Sequence, residues 1–279
     1  MLRVGVATAP PEHMTVFDTQ RPVSFHLPVA APRATALSIV IPTWNGGARL
    51  RETLEHLDSF RQELNESTEI VIVDDCSDRN TQQIAADFAE RNELTFVLRN
   101  SRNRGKGYAV ARGMREARGQ YRLFVDSDLA YPSTEISKLL SALKSGGDVA
   151  IACRVMPESR YVMSPTFFHY LYTRHLMSRA FNRLAQQMLL PGILDTQAGL
   201  KAFTAEAAQL IFSRQTLSGF GFDLECLFIA RLHGLKIIQV PVDFYYNSEP
   251  STISFIKHGK EMVMDLLRVR RNARRGLYA

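Results

Sequence analysis

Leu123-Phe124-Val125-Asp126-Ser127-Asp128 runs three apolar residues straight into two carboxylates spaced i, i+2. The apolar part reads as the end of a buried strand, and the acids stand where that strand stops. In an open α/β sheet, ligands bind just outside the carboxyl ends of the strands. Two carboxylates placed there can hold a hard divalent cation, which in turn bridges the phosphates of a nucleotide. An isolated D-x-D is short and more often describes a pair of solvated loop acids. The flanking sequence has to decide.

Upstream, Leu37–Pro42 reads as a strand stopped by proline, and Thr43–Gly47 as a turn before a helix over about 48–64. Glu69–Val73 is a second predicted strand ending at Asp74-Asp75. Helix 81–91, strand 94–98, helix 104–118 and strand 121–125 follow. Downstream, helix 134–144 and strand 148–152 continue the alternation. After Arg154 the rhythm breaks into a long helical stretch (167–190), a strand (199–203), a helix (223–233) and a strand (236–240). This order predicts an α/β fold: a Rossmann-like, mostly parallel sheet flanked by helices. Residues 1–36 hold five prolines and no sustained period. They predict a poorly ordered N-terminal extension, with a short strand near Val23–Leu27.

The chain has 279 residues, 46% hydrophobic and 22% charged, which suits one large α/β domain. No run approaches the ~18 apolar residues of a membrane-spanning helix. The N-terminus lacks a basic start followed by an apolar core, so no secretion signal is expected. Cys76, Cys153 and Cys226 have no metal-ligand spacing and fit reduced thiols in the cytoplasm. Net charge is +6, and seven Lys/Arg fall between Ser251 and Ala279 against Glu261 and Asp265. From about Ile253 the tail reads as an amphipathic helix ending in arginines. An anionic membrane surface is its expected partner; nucleic acid is not.

Four successive strand ends are polar: Thr43-Trp44-Asn45, Asp74-Asp75, Arg102-Asn103 and Asp126-Ser127-Asp128. In a parallel sheet they line one edge and describe a nucleotide-sized cleft. Arg102-Asn103-Arg104-Gly105-Lys106-Gly107 adds a phosphate-type signal, because glycines admit close backbone approach and the next helix offers free N–H groups. It is neither a Walker loop nor a G-x-G-x-x-G fingerprint. The same residues also describe a glycine-rich helix start with solvated bases. In the second half, Asp223 fits a helix N-cap as well as a site acid. Lys201 fits a phosphate contact or a strand-edge charge.

The order of these motifs resembles the inverting, family-2 glycosyltransferases of the GT-A fold, and among them the dolichyl/polyprenyl-phosphate sugar transferases, the glucosyl branch most. The resemblance spans about Leu37 to Leu267. It rests on Ile41-Pro42-Thr43 with Asn45, Val73-Asp74-Asp75-Cys76-Ser77, Asn103-Arg104-Gly105-Lys106-Gly107 and Asp126-Ser127-Asp128. It continues through Asp195-Thr196-Gln197-Ala198-Gly199-Leu200-Lys201, Phe222-Asp223-Leu224-Glu225 and Val240-Pro241-Val242. The resemblance implies a GT-A domain over 37–250, with a nucleotide-binding half (37–130), an acceptor half (131–250) and a basic amphipathic helix over 251–279. Pro42, Thr43, Asn45, Asp74, Asp75, Asn103, Arg104, Lys106, Asp126 and Ser127 would form the nucleotide-sugar site. Asp126 and Asp128 would bind Mg²⁺ or Mn²⁺ and, with Asp195 and Lys201, would be catalytic. Arg154, Arg174, Gln197 and Asp223 would lie on the acceptor side. Two departures matter. Ala152-Cys153-Arg154 stands where relatives read Gly-Ser-Arg, and Ala130 stands where the mannosyl branch has a metal-binding Gln. The likeness to the glucosyl branch implies a UDP-sugar over GDP-mannose, with a polyprenyl phosphate acceptor and a peripheral position on the cytoplasmic face of a membrane. A soluble acceptor and a non-catalytic nucleotide-sugar binder are the alternatives.

Overall fold

The computed structural model describes residues 35–279 except 65, 129, 164–167 and 247–254, and except the side chains of 163, 168–176, 246 and 255–258. The expected extension over 1–36, with its strand near Val23–Leu27, therefore lies almost wholly outside the described residues.

Seven strands form the central sheet. In spatial order they are β3 (Thr95–Arg99), β2 (Thr68–Asp74), β1 (Leu37–Thr43), β4 (Tyr121–Val125), β7 (Leu200–Thr204), β5 (Val149–Cys153) and β8 (Ile237–Pro241). All pairings are parallel except those of β7, which runs antiparallel to both β4 and β5. The mostly parallel sheet read from the sequence is thus present, and the one reversed strand is the addition. A two-stranded sheet of β6 (Arg160–Met163) and β9 (Asp243–Tyr246) lies apart from it.

Strand alternation sends side chains to two separate cores. Leu37, Ile39, Ile41, Ile70 and Ile72 face one layer, into which α1 (Gly47–Glu63), α2 (Arg79–Arg91) and α4 (Ser133–Lys144) place Leu54, Ile84 and Leu139. Val40, Val71, Val73 and Phe124 face the other. There they meet α3 (Lys106–Glu116), α6 (Ala205–Arg214) and α7 (Phe222–Leu232), the end of α5 (Phe168–Met188), and Leu266 and Val269 of α8 (Phe255–Arg274). Apolar residues on both faces are why the strands read as near-continuous hydrophobic runs. Sequence reading passed over α6, β6 and β9. Helix α6 follows β7 without a loop, and its start is marked by Thr204, whose hydroxyl accepts the Ala207 N–H at 3.2 Å.

Val269, Asn272 and Tyr278 are buried, so the last turn of α8 and the residues after it pack on the body. The arginines 268, 270, 271, 274 and 275 remain outside.

One buried polar knot closes the back of the sheet. Glu69, on β2, accepts the Ser38 hydroxyl at 2.6 Å and the Arg118 N–H at 2.7 Å, and Ser38 in turn accepts the Gly119 N–H at 2.7 Å. Glu69→Ala strands these buried donors and should cost about 2 kcal/mol. It should lower the melting temperature without changing nucleotide affinity below the transition, since the knot lies at the opposite edge from the strand ends that carry Asp74 and Asp126.

Candidate active site

The carboxyl ends of β1, β2, β4 and β5 share one edge of the sheet. Because β7 is antiparallel, the residues before it rather than after it arrive at that edge. Leu200 pairs with Val125, and the Asp126 N–H donates to the Gly199 carbonyl at 3.1 Å. Asp195–Gly199 is thereby laid beside Asp126–Asp128, although the two stretches are far apart in sequence.

This contact accounts for Gly199. A Cβ there would stand 2.1 Å from Asp126 Oδ2. The glycine leaves the volume that the carboxylate fills. On its other side, Asp126 Oδ1 meets Lys106 Nζ at 2.6 Å. Burial disfavours the Lys106 charge, but Asp126, Asp223 and Asp128 together outweigh it and hold the ammonium firmly charged. Ser127 is half-buried between the two acids.

The glycine-rich stretch 102–107 is read differently in three dimensions. Gly105 has φ +94°, and a Cβ on it would meet Ser218 O at 2.5 Å. A Cβ on Gly107 would meet Phe222 Cβ at 2.7 Å. The close approach these glycines allow is to the chain's own 217–222 segment. Arg104 lies exposed with its guanidinium 3.8 Å from the Tyr108 ring centroid, and Asn103 is exposed beside it.

Asp75 is buried and holds this loop. Its Oδ1 accepts from Asn100 Nδ2 at 2.7 Å, and its Oδ2 accepts the Gly105 N–H at 2.7 Å and the Arg104 N–H at 3.0 Å. Asp74, also buried, accepts the Ser77 N–H at 2.9 Å. Asn45, at φ +52°, accepts the Asp78 N–H through its side chain at 2.8 Å. These three polar groups are occupied in shaping the loops of the cleft. Pro42 and Thr43 are buried at the end of β1, and the Thr43 hydroxyl has no partner among the described residues.

On the far side, Asp195 takes Arg154 Nε on Oδ2 at 2.7 Å and Nη2 on Oδ1 at 2.9 Å, together with the Arg154 N–H at 3.1 Å. Burial would raise the acid, but the Arg154 guanidinium prevails and holds it below the usual carboxylate range. The Gln197 N–H adds a 3.2 Å bond, and the Gln197 amide reaches Met262 Sδ at 3.5 Å. Lys201 is fully buried, 2.5 Å from Asp223 and 2.6 Å from the Ala198 carbonyl. The Lys201 side chain has no solvent contact, and that of Asp223 keeps 7%. Arg174 falls on α5, and its side chain is outside the described residues. The structure adds Asn100, buried under Asp75, and Tyr131, whose buried hydroxyl has no partner among the described residues. The only signal for Tyr131 was its place three residues beyond Asp128.

Asp126 and Asp128 suit Mg²⁺ or Mn²⁺ in donor type: hard carboxylate oxygens at a cleft, with no third acid, His or Cys grouped with them among the described residues. A site of this kind leaves positions for phosphate oxygens and water. The acids also sit awkwardly without a cation. Asp128 keeps solvent contact at the rim, yet the protein packed around it and the neighbouring Asp126 both raise its carboxyl. An acid raised in the folded state favours folding at low pH, and that advantage is lost as pH rises through its folded value. Asp128→Asn should therefore raise the metal-free melting temperature near pH 7, and the gain should vanish in acid where both states are protonated. An unchanged or lower melting temperature near pH 7 would show that the acids do not repel.

The family model for glycosyl transferase family 2 matches residues 38–212. The chain is 32% identical to a dolichyl-phosphate beta-glucosyltransferase of Trichomonas vaginalis over 84% of this chain and 72% of that protein. To the protein of that name from Dictyostelium discoideum it is 29% identical over 84% and 73%. Among solved structures it resembles glucosyl-3-phosphoglycerate synthase of Mycobacterium tuberculosis in complex with Mn²⁺, UDP-glucose and phosphoglyceric acid. That match has a TM-score of 0.63 and 19% identity, and covers 84% of this chain and 79% of that one. The fold is that of GT-A glycosyltransferases, and the carboxylate pair closing β4 lies inside the matched segment: the chain is a glycosyltransferase and belongs to glycosyl transferase family 2.

Proposed function

We propose that this enzyme transfers glucose from UDP-glucose to a polyprenyl phosphate, with inversion at the anomeric carbon and with a divalent cation. The single observation that carries the reading is the likeness, at about 30% identity over most of the chain, to several proteins named dolichyl-phosphate beta-glucosyltransferase. The site chemistry agrees with it. Asp126 and Asp128 would hold Mg²⁺ or Mn²⁺, which when bound offsets the charge gathering on the departing diphosphate. Lys106, kept charged by Asp126, Asp223 and Asp128, adds a fixed cation at the same end of the cleft. The acceptor phosphate is already anionic near neutral pH, so no carboxylate need take a proton from it. That suits an Asp195 whose oxygens are both committed to Arg154. An alcohol acceptor, the soluble alternative, would need a free base there.

Lys201 and Asp223, as a closed pair, are proposed to shape the site rather than to touch substrate. Asp75 and Asn100 are proposed to set the floor on which the uracil lies.

Membrane contact is proposed through α8. Val263, Met264 and Leu267 are exposed on one side of that helix, and Arg271 and Arg274 continue the stripe. Among the described residues no helix is long and apolar enough to cross a membrane, so the lipid would be reached from the surface. Each base near an anionic surface contributes about 1 kcal/mol. The three cysteines are free thiols, in keeping with a cytoplasmic face.

The decisive assay offers radiolabelled UDP-glucose with short and long polyprenyl phosphates, and separately with phosphorylated and neutral soluble acceptors. Product on the lipid phosphate, lost with chelator, is the expected result; product only on a soluble acceptor sinks the reading. In the same assay Gly199→Ala should lose about as much activity as Asp126→Ala, because its Cβ would occupy the place of the Asp126 carboxylate. Wild-type activity in Gly199→Ala would separate Asp126 from the chemistry. Paired Met264→Glu and Leu267→Glu substitutions should weaken binding to anionic vesicles and lower turnover of long polyprenyl phosphates more than of short ones. Equal loss on both acceptors would remove the lipid surface from the explanation.

A further inference from the structure

Beyond the cleft, the residues after α8 are built into the loop that braces it. Glu225, on α7, is fully buried. Its Oε2 accepts the Leu217 N–H at 2.7 Å and the Thr216 N–H at 3.0 Å, while its Oε1 accepts the Thr216 hydroxyl and the Tyr278 hydroxyl, the latter at 2.6 Å. Asn272 Nδ2 donates to Thr216 Oγ1 at 3.0 Å and to the Tyr278 oxygen at 3.4 Å. The Tyr278 ring packs edge-on against Phe228, with centroids 5.9 Å apart. Burial and the bond to Glu225 both push the Tyr278 phenol up, so it stays a proton donor throughout the working range.

The other side of the same loop rests on the start of α3. The Tyr108 N–H donates to the Ser218 carbonyl at 3.2 Å, and Gln215 Nε2 ties the Gly107 carbonyl at 2.9 Å to the Leu217 carbonyl at 2.7 Å. Gly105 and Gly107 lie so close to 217–219 that neither tolerates a Cβ. Lys106 sits between these glycines and reaches Asp126. Contact is thus continuous from Tyr278 through Glu225, Thr216 and the 216–219 segment to the ammonium at the cleft.

We propose that Tyr278 and Asn272 are positioning residues for donor binding: they fix the 216–219 segment, which holds Lys106 against Asp126 where the nucleotide diphosphate binds. The proposal rests on the donor-site reading above. It goes beyond packing for a definite reason. Leu266 and Val269 already anchor α8, and Glu225 keeps three partners when the phenol is removed. The phenol hydroxyl therefore fixes a loop more than it holds a domain together.

The test compares the full chain with Tyr278→Phe and Asn272→Ala. It measures steady-state kinetics in UDP-glucose at saturating polyprenyl phosphate, and calorimetric binding of UDP with Mn²⁺. Each variant should raise the donor KM and the UDP Kd by roughly three- to tenfold, the size of one lost hydrogen bond. The acceptor KM should stay within about twofold of the parent. Ile84→Val in the opposite core lowers stability without touching this loop, and should leave the donor KM unchanged. Donor KM and UDP affinity at parental values in both variants would overturn the proposal. So would a rise in Ile84→Val equal to theirs, which would mark a general loss of stability. Failure of the parent chain itself to bind UDP with Mn²⁺ would overturn the donor-site reading, and that result is seen before any variant is compared.

Discussion

Two chain segments compete for one small volume at the end of β4, and the active site depends on how the competition is settled. The Asp126 carboxylate occupies the space that a side chain at position 199 would take, while its backbone N–H bonds the carbonyl of the same residue. Only glycine permits both. With the carboxylate seated there, Lys106 can approach it from the opposite side, and α3 is drawn toward the strand ends. A larger residue at 199 would break the sheet pairing next to the acid or turn the acid out of the cleft.

Around that point the polar groups divide into those left open at the rim and those that hold the frame. Asp75 spends both oxygens on the backbone and amide donors of 100–105, and Asp195 spends both on Arg154. Buried charges are tolerated only when paired and hydrogen-bonded in this way. Asp126 and Asp128 differ: two acids face one ammonium at a solvent-reached rim. The unsatisfied charge is where a divalent cation would have something to gain by binding. Stability lost there would be recovered on binding it, as is common where function requires like charges side by side.

Much of this was legible in the sequence, and the limits have physical causes. The alternation of apolar runs with helical periods displayed the parallel sheet, since a strand buried on both faces has little choice of residue. The D-x-D stood out because acids directly after an apolar triplet are conspicuous. The reversal of β7 had no local mark: Leu200–Thr204 reads the same in either direction, and only pairing with Val125 and Ile151 reveals it. Glycines 105 and 107 were recognised as close-approach positions, but composition alone cannot say whether the approaching group is a ligand or the chain itself. The tail was read as a basic amphipathic helix. Its anchoring went unseen because Asn272 and Tyr278 bond to Thr216 and Glu225, which are remote in sequence.

The reversed strand has a consequence for the order in which the molecule is made. Strands β1 to β4 can pair as soon as residues up to Val125 exist, because each connection among them is a short crossover. Leu200 must then return to Val125 across about 75 residues, a closure that is slow and entropically costly. Until it does, Asp126 lacks the backbone partner and the glycine gap that orient it. The half of the chain that carries the ends of β1, β2 and β4 can therefore pair before Asp126 is oriented. Asp126 reaches its final setting only with this long-range pairing, so any recognition that uses its carboxylate reports that the two ends of the sheet have met.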